Sequence, residues 1–367
     1  MDSVSNIRCI LNSTTNFTFN SSFLLPPDNV LEDAYEIFFK FAFGSAIYMF
    51  IASFLSIIAN GLLLLVFLFD PLKIFRKATT YFLVGLSIAD ILTATTQQPM
   101  YATCFTMIYI KHRDTVNVKT CQTLITVGQH ISLVAMNCSF IIVLSFTIAQ
   151  FIVVISPLKY AQKVTKCRVI ICIIGIYAYA ILLTLLPKMG VHRDSLLKFD
   201  TIFHSIILTY LIIIFYVLLF ITFKKKAAAS RSLQEDQRTE GRGRRTCLER
   251  KFIVVNFFLV AILFLCSQPV TILGMVSLYS SEDPNSPEFL IASLIVENVL
   301  YLKFLLDPFV YAWRIPKYRQ ALKIILRCSH SEDKKPCRES MFSDCAIAEL
   351  SLSRDTVITL DFKAISQ

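Results

Sequence analysis

Three charged side chains lie deep within the long apolar stretches of this 367-residue chain: Asp90, Lys303 and Asp307. An ionisable group inside an apolar span is costly, so by default it serves a function. Lys303 and Asp307 are four residues apart, which places them one turn apart on the same face of a helix and lets them pair. The chemistry that this set predicts is buried ion pairing.

No residues in the sequence predict catalysis. The sequence has no evident nucleophile–base pair and no set of metal ligands at zinc spacing, so we expect neither an enzyme nor a metal or other cofactor. The net charge is +10, but the Lys and Arg residues lie in loops and the C-terminal tail, without a basic patch interleaved with aromatics. They therefore predict contact with anionic lipid headgroups or a cytosolic partner, and not with nucleic acid.

Seven long apolar stretches hold these residues. The chain is 55% hydrophobic with a mean hydropathy of +0.61, and about 20 apolar residues span a bilayer as a helix. The sequence therefore predicts an all-α bundle of seven transmembrane helices over residues 45–313. The predicted spans are 45–69, 81–104, 122–155, 169–187, 201–223, 252–279 and 288–313.

The Lys and Arg residues are concentrated in every second loop between these stretches. Cytoplasmic loops carry such an excess, so we expect a multi-pass plasma-membrane protein with its N-terminus outside. The N-terminal residues do not match a cleaved signal peptide. Residues 1–44 contain three N-x-[ST] sequons, which predict a glycosylated extracellular tail. The acceptor residues are Asn12, Asn16 and Asn20.

The cytoplasmic side has three distinct segments. The third inside loop, AAASRSLQEDQRTEGRGRR, has low complexity and is predicted to be flexible. Apolar residues recur at helical spacing over 314–328 with Lys and Arg between them, which predicts an amphipathic helix in the membrane interface. Cys328 ends it, either as a palmitoylation site or as a free structural cysteine. Residues 329–367 are polar and Ser-rich, and are predicted to be a disordered tail.

Five short motifs, in order and on matching spans, resemble those of the rhodopsin-like (class A) G-protein-coupled receptors. The resemblance covers about residues 45–328. It implies a receptor that passes an extracellular ligand signal to heterotrimeric G proteins, with arrestin as a further candidate partner. The motifs are Asn60-Gly61, Leu86-Ser87-Ile88-Ala89-Asp90, Pro157-Leu158-Lys159-Tyr160, Cys266-Ser267-Gln268-Pro269 and Asp307-Pro308-Phe309-Val310-Tyr311.

The activation residues of the family are partly present. Pro269, Pro308 and Tyr311 match, and Tyr216 matches the tyrosine of the fifth span. A proline inside a helix removes a backbone hydrogen bond and bends the helix. Each of the two proline-containing helices adjoins a basic cytoplasmic segment, so we expect the cytoplasmic end of the sixth helix to move.

Other activation residues are replaced. The family's D/E-R-Y is Ala149-Gln150-Phe151 here, although the acidic residue of the sixth span is retained as Glu249. The usual ionic lock between the arginine and this acid therefore cannot form. Either Gln150 substitutes by hydrogen bonding, or coupling is weak or absent. The family's tryptophan of the sixth span is Ser267, and its proline of the fifth span is Leu208.

The disulfide of the family joins the third span to the second outside loop, and that loop has no cysteine here. The cysteines predicted to face outside are Cys9, Cys104 and Cys121. A Cys104–Cys121 bridge is our first expectation and Cys9 is the rival partner, because spacing does not give connectivity. Three free thiols remain the other alternative.

The resemblance also implies a role for Asp90. In the family this aspartate holds a sodium ion together with a serine of the third span and polar residues of the seventh. The matching residues here are Asp90, Ser139, Lys303, Phe304 and Asp307. We hypothesise that the Lys303 ammonium takes the place of sodium between Asp90 and Asp307, and that one proton offsets the remaining negative charge. The alternative is that Lys303 snorkels or meets only water.

A ligand is expected between the outer ends of the helices. The amine-binding subfamily has an aspartate where this chain has Ser132, so a monoamine anchored in that way is not expected. Opsins carry their Schiff-base lysine at the position of Tyr301, which argues against a retinal photoreceptor. Glu297 either anchors a cation or lies in the aqueous rim. The candidate ligand-contacting residues are Gln98, Gln129, His130, Ser132, Ile272, Glu297 and Tyr301.

Two receptor hypotheses remain open: a signalling receptor, and an atypical or decoy receptor that binds a ligand without G-protein coupling. Gln150 at the position of the family's arginine favours the decoy. A transporter or channel is disfavoured, because few ionisable residues lie deep in the predicted bundle.

Overall fold

The computed structural model describes residues 28–72, 78–110, 118–156, 164–232, 240–279, 286–314 and 316–326. Every regular element in these ranges is helical. The α-helices are α1 (Asp28–Phe69), α2 (Ala78–Leu92), α3 (Gln98–Ile110), α4 (Val118–Ile155), α5 (Lys166–Leu185), α6 (Arg193–Asp200), α7 (Thr209–Ser232), α8 (Glu240–Tyr279), α9 (Pro287–Arg314) and α10 (Pro316–Leu326).

Among the described residues, seven helical segments are long and apolar enough to cross a membrane, which confirms the predicted seven-span, all-α fold. A π-helical turn joins α2 to α3 within the second span, and a π-helical segment joins α6 to α7 within the fifth. In chain order the spans are Glu36–Phe69, Ala78–Ile110, Thr123–Ile155, Lys166–Met189, Ser195–Lys226, Ile253–Tyr279 and Pro287–Val310.

The helices are longer than the apolar stretches that predicted them. α1 begins at Asp28, well before residue 45, and an exposed Glu36–Lys40 pair one turn apart supports this extension. In the third inside loop, α7 continues to Ser232 and α8 begins at Glu240, so both ends of the segment expected to be flexible are helical. Hydropathy identifies only the part of a helix that lies within the membrane. Charged and small residues with good helix propensity extend the same helix into water.

α10 lies within the predicted range 314–328 and is amphipathic. Its buried residues Tyr318 and Ala321 face the bundle, and the Tyr318 ring lies 6.4 Å from the ring of Phe67 at the cytoplasmic end of the first span. Burial raises the pKa of the Tyr318 hydroxyl to about 12, so this ring stays neutral where it packs. Asn12, Asn16, Asn20, Cys328 and the predicted tail 329–367 lie outside the described residues.

The first span packs against the second and the seventh along a polar stripe, which we define as Ser45, Ser53, Ser56 and Asn60. All four side chains are buried. Their spacing of three to eight residues keeps them near one face of a helix. Ser45 pairs with the Asn298 side chain, and the other three residues donate to backbone carbonyls that prolines in the two neighbouring spans leave without a donor.

In the second span, the π-helical turn Thr93–Gln97 precedes Pro99. The Gln98 N–H donates to the Thr93 carbonyl, so the next donor in that register would come from residue 99. Pro99 has no N–H. The carbonyl of Ala94 instead accepts a 2.6 Å hydrogen bond from the Ser53 hydroxyl of the polar stripe.

In the seventh span, Pro308 removes the donor that an α-helix would direct to the carbonyl of Phe304. Two residues of the polar stripe replace it. The Asn60 side-chain amide donates to this carbonyl at 2.9 Å, and the Ser56 hydroxyl donates at 3.1 Å. An unsatisfied carbonyl in a bilayer costs several kcal/mol, so these bonds make Pro308 compatible with its buried position.

Candidate functional site

The most concentrated charge in the described bundle lies where the second, third and seventh spans meet. The Lys303 ammonium is 2.9 Å from Asp307 Oδ2 and 3.2 Å from Asp90 Oδ1. It is also 3.4 Å from the Ser139 hydroxyl. Lys303, Asp90, Asp307 and Ser139 are each at most 2% exposed. The structure thus brings together all four residues of the predicted internal polar site.

The ammonium is held on one side by these oxygens and on the other by an aromatic ring. Its nitrogen lies 4.6 Å from the ring centroid of Phe304, the next residue in the helix. Asp90 Oδ2 and Asp307 Oδ1 are buried and have no hydrogen-bond partner within the described chain. A buried charge is tolerated only when it is paired, and here one cation serves two carboxylates.

The outer half of the bundle contains a second polar group around Tyr301. This tyrosine is buried, and its hydroxyl accepts a 2.8 Å hydrogen bond from the Gln97 side-chain amide. The neighbouring Gln98 is fully buried, and neither polar atom of its carboxamide has a partner among the described residues. Buried polar atoms usually have partners, so Gln98 is the candidate ligand residue whose hydrogen-bonding capacity is unused.

The other candidate ligand residues have different environments. His130 places Nδ1 2.7 Å from the Thr126 carbonyl of its own helix. Gln129, Ser132 and Glu297 are half-buried. Ile272 is 62% exposed and therefore does not belong to the packed interior of the bundle. The sequence of a nearly uniform apolar span does not show which residues face inward, since polar contrast between its faces is lacking.

A further polar cluster joins the third, fourth and fifth spans, and sequence analysis missed it. The Asn137 side-chain amide donates to Asp200 Oδ1 at 2.7 Å. His204 Nδ1 lies 3.0 Å from the same oxygen, and His204 Nε2 lies 3.1 Å from the Tyr179 hydroxyl. The available signal was the spacing of Asp200 and His204, four residues apart at the start of an apolar stretch.

Near the end of the third span and the start of the sixth, the two spans are joined by polar side chains other than the arginine–acid pair of the family. Gln150 is buried, with 3% exposure. One turn before it, the Thr147 hydroxyl lies 2.8 Å from the Val143 carbonyl of its own helix and 3.2 Å from Asn256 Oδ1 of the sixth span, so these two acceptors share its one proton. Thr147 and Asn256 are both fully buried. The backbone of Glu249 lies within α8, but its side chain is outside the described part of the structure.

The fifth span contacts the end of the third. The Lys226 ammonium donates to the carbonyls of Val154 and Ile155 at 2.6 and 2.5 Å. These are among the last carbonyls of α4, which have no helical donor and attract a cation. Tyr216 packs its ring 5.6 Å from that of Phe257 in the sixth span. These contacts place three spans side by side at the cytoplasmic face.

Both predicted prolines lie inside transmembrane helices, Pro269 in α8 and Pro308 in α9. Tyr311 lies near the end of α9, and its side chain is not among those described. Ser267, at the position of the family's tryptophan, is buried. Its carbonyl accepts a 3.0 Å hydrogen bond from the Thr271 hydroxyl one turn later.

Cys104 and Cys121 form a disulfide with a Cα–Cα distance of 5.1 Å. The bond joins the outer end of the second span to the start of α4 and closes the first outside loop. The described cysteines that remain as thiols are Cys138, Cys167, Cys172 and Cys266.

Comparison with known proteins identifies the family. The family model for the 7 transmembrane receptor (rhodopsin family) matches residues 59–311. The crystal structure of squid rhodopsin is similar in fold, with a TM-score of 0.64 and 14% sequence identity, over 86% of this chain and 94% of the rhodopsin chain. No curated protein sequence matches the chain significantly. The chain therefore belongs to the rhodopsin family of seven-transmembrane receptors, as a multi-pass membrane protein.

Proposed function

We propose that this receptor binds an extracellular ligand and activates heterotrimeric G proteins through movement of the sixth span. The observation that carries the proposal is the Thr147–Asn256 hydrogen bond near the cytoplasmic ends of the third and sixth spans. This bond holds the two spans together where the family's arginine and acid would do so. In a receptor held in its resting state in this way, activation would break the Thr147–Asn256 hydrogen bond.

Pro269 supplies the point at which the sixth span would move. It lacks the N–H that would bond to the carbonyl of Leu265, one turn towards the cytoplasm. The segment from Ile253 to Pro269 can then swing when the Thr147–Asn256 bond opens. The cleft so formed would be bordered by Tyr311 and by Lys226, which already caps the third span. G proteins, and arrestin in turn, would bind there.

The ligand would enter from the side that carries the N-terminus, which the Lys and Arg distribution places outside. Its site would include the unused carboxamide of Gln98, the Gln97–Tyr301 pair and the half-buried Glu297. Burying a polar group without a partner is costly. A ligand with both a hydrogen-bond donor and an acceptor would therefore gain most from Gln98. The membrane lipid interface would hold α10 beside the cytoplasmic cleft.

The second candidate function is a decoy receptor that binds its ligand without activating G proteins. Gln150 favours it, because a neutral, buried side chain replaces the cation with which the family contacts G proteins. Both functions use the same fold and the same outer site, so they differ only at the cytoplasmic face.

The deciding experiment measures basal activation of the four main Gα classes in cells at matched surface expression. The variants are the wild type, Gln150→Arg, and Thr147→Val, which replaces the hydroxyl by a methyl group. Thr184→Val is the control, because the Thr184 hydroxyl bonds only to the Ala180 carbonyl of its own helix. The signalling receptor predicts that Thr147→Val raises basal activation above wild type and that Thr184→Val does not.

The decoy predicts a different pattern. Wild type and Thr147→Val would both be silent in all four classes, and only Gln150→Arg would activate. Silence of all variants, with the proteins present at the cell surface, would also argue against basal coupling and favour the decoy. Any activation of a Gα class by the wild type is enough to reject the decoy hypothesis.

A further inference from the structure

Lys303 is the fully buried cation of a cluster built by three spans. Its ammonium lies between the carboxylates of Asp90 and Asp307, at 3.2 and 2.9 Å, and 3.4 Å from the Ser139 hydroxyl. The side chain is 1% exposed. A lysine that snorkelled to the interface would expose its nitrogen, and this one is surrounded by oxygens in mid-span.

The groups around this ammonium form a donor set made only of oxygens. They are two carboxylates and one hydroxyl, and one oxygen of each carboxylate has no hydrogen-bond partner among the described residues. Small hard cations prefer such oxygen ligands. Without the Lys303 charge, two buried carboxylates would stand side by side with no compensating cation, which is strongly unfavourable.

The residues present do not fit a sodium ion in addition to Lys303. The ammonium already occupies the space between Asp90 Oδ1 and Asp307 Oδ2. A second cation within a few ångströms would be repelled by the first, and buried charges are screened little. The position that a sodium ion would occupy is therefore filled by the Lys303 side chain.

We propose that Lys303 is a built-in cation which makes this receptor independent of sodium, and that its removal creates a monovalent-cation site. The inference rests on the contacts of Lys303 and on the fold, and not on coupling to G proteins. It assigns Asp90, Asp307 and Ser139 as ligands of the new site in a Lys303→Ser variant. The serine hydroxyl adds one more oxygen where the ammonium stood.

The experiment follows thermal unfolding of the purified full chain in detergent. Each sample is titrated with sodium chloride, with choline chloride keeping the ionic strength constant. The wild type is expected to have the same Tm throughout. Lys303→Ser is expected to have a lower Tm in choline alone and to gain at least about 3 °C in sodium, with saturation, as a ligand that binds the folded state requires.

The matched control is Lys303→Ser combined with Asp90→Ala, which leaves no side-chain oxygen at residue 90. This double variant lacks one ligand carboxylate and should lose the response to sodium. A saturable rise in the wild-type Tm with sodium would overturn the proposal, and so would a folded Lys303→Ser protein that does not respond. If Lys303→Ser does not fold, Lys303→Asn replaces it, because the asparagine amide oxygen is also a ligand. The sodium titration of the wild type tests the proposal in either case.

Discussion

The side-chain amide of Asn60 lies 2.9 Å from the carbonyl oxygen of Phe304, the carbonyl that Pro308 leaves without its helical donor. A residue of the first span thus completes the hydrogen bonding of the seventh. The family motif around Asn60 therefore supplies the hydrogen-bond donor that the motif around Pro308 lacks.

Replacing Asn60 by Ala should destabilise the receptor by about 1 kcal/mol, because the Phe304 carbonyl loses one of its two side-chain donors and keeps the Ser56 hydroxyl. The measurement is thermal unfolding in detergent. Gly61→Ala is the control on the adjacent residue, where a Cβ would meet nothing within 4 Å. We expect its Tm to equal or slightly exceed that of the wild type. Equal losses in the two variants would contradict the role of the Asn60 amide.

Ser53→Ala should cost about 1 kcal/mol by removing the donor to the Ala94 carbonyl. In a Pro99→Ala background the restored N–H of residue 99 can serve that carbonyl, so the same change should cost less. A double-mutant cycle of unfolding free energies measures the difference, for which we expect a coupling of at least about 0.5 kcal/mol. Identical costs in both backgrounds would show that Ser53 does not compensate for Pro99.

Gly128→Ala should destabilise the outer half of the bundle by about 1–3 kcal/mol through overpacking. A Cβ at this position would lie 2.7 Å from Cε1 of Tyr101, so the buried tyrosine ring would have to shift within a packed core. Gly175→Ala, where a Cβ meets nothing within 4 Å, should be neutral. Surface expression and Tm distinguish the two variants, and a partial recovery is expected when Tyr101→Leu is combined with Gly128→Ala.

Breaking the Cys104–Cys121 disulfide should cost about 3 kcal/mol, given that the two cysteines are 17 residues apart. Cys104→Ser, Cys121→Ser and the double variant should lose similar stability, since each removes the same bond. Cys172→Ser changes an exposed thiol and should have no effect. The test compares Tm with and without a reductant, and only the wild type and Cys172→Ser should respond to it.

Local spacing was sufficient for some contacts of the candidate site. Lys303 and Asp307 could be paired from the sequence because residues four apart share a helix face. The partnership of Lys303 with Asp90 needed the family resemblance, which aligns the second and seventh spans. The seven spans followed from hydropathy alone.

Contacts that depend on helix rotation could not be predicted. The cluster of Asn137, Asp200, His204 and Tyr179 combines residues from three spans, and a π-helical segment begins within it. Such a segment changes the angle between successive residues, so a regular 3.6-residue period assigns later side chains to the wrong face. Ile272, predicted at the ligand site, is mostly exposed for a different reason: its span is a continuous α-helix of nearly uniform apolar residues, in which the sequence does not mark the inward face.

The polar stripe of the first span also bears on assembly in the membrane. Before the spans meet, the carbonyls of Ala94 and Phe304 face lipid without donors, at a cost of several kcal/mol each. The first span is synthesised at the beginning of the chain and the seventh near its end, so the Phe304 carbonyl can be satisfied only when the ring of helices closes. Closure would then be a quality-control checkpoint, at which an incomplete bundle remains recognisable by its exposed carbonyls.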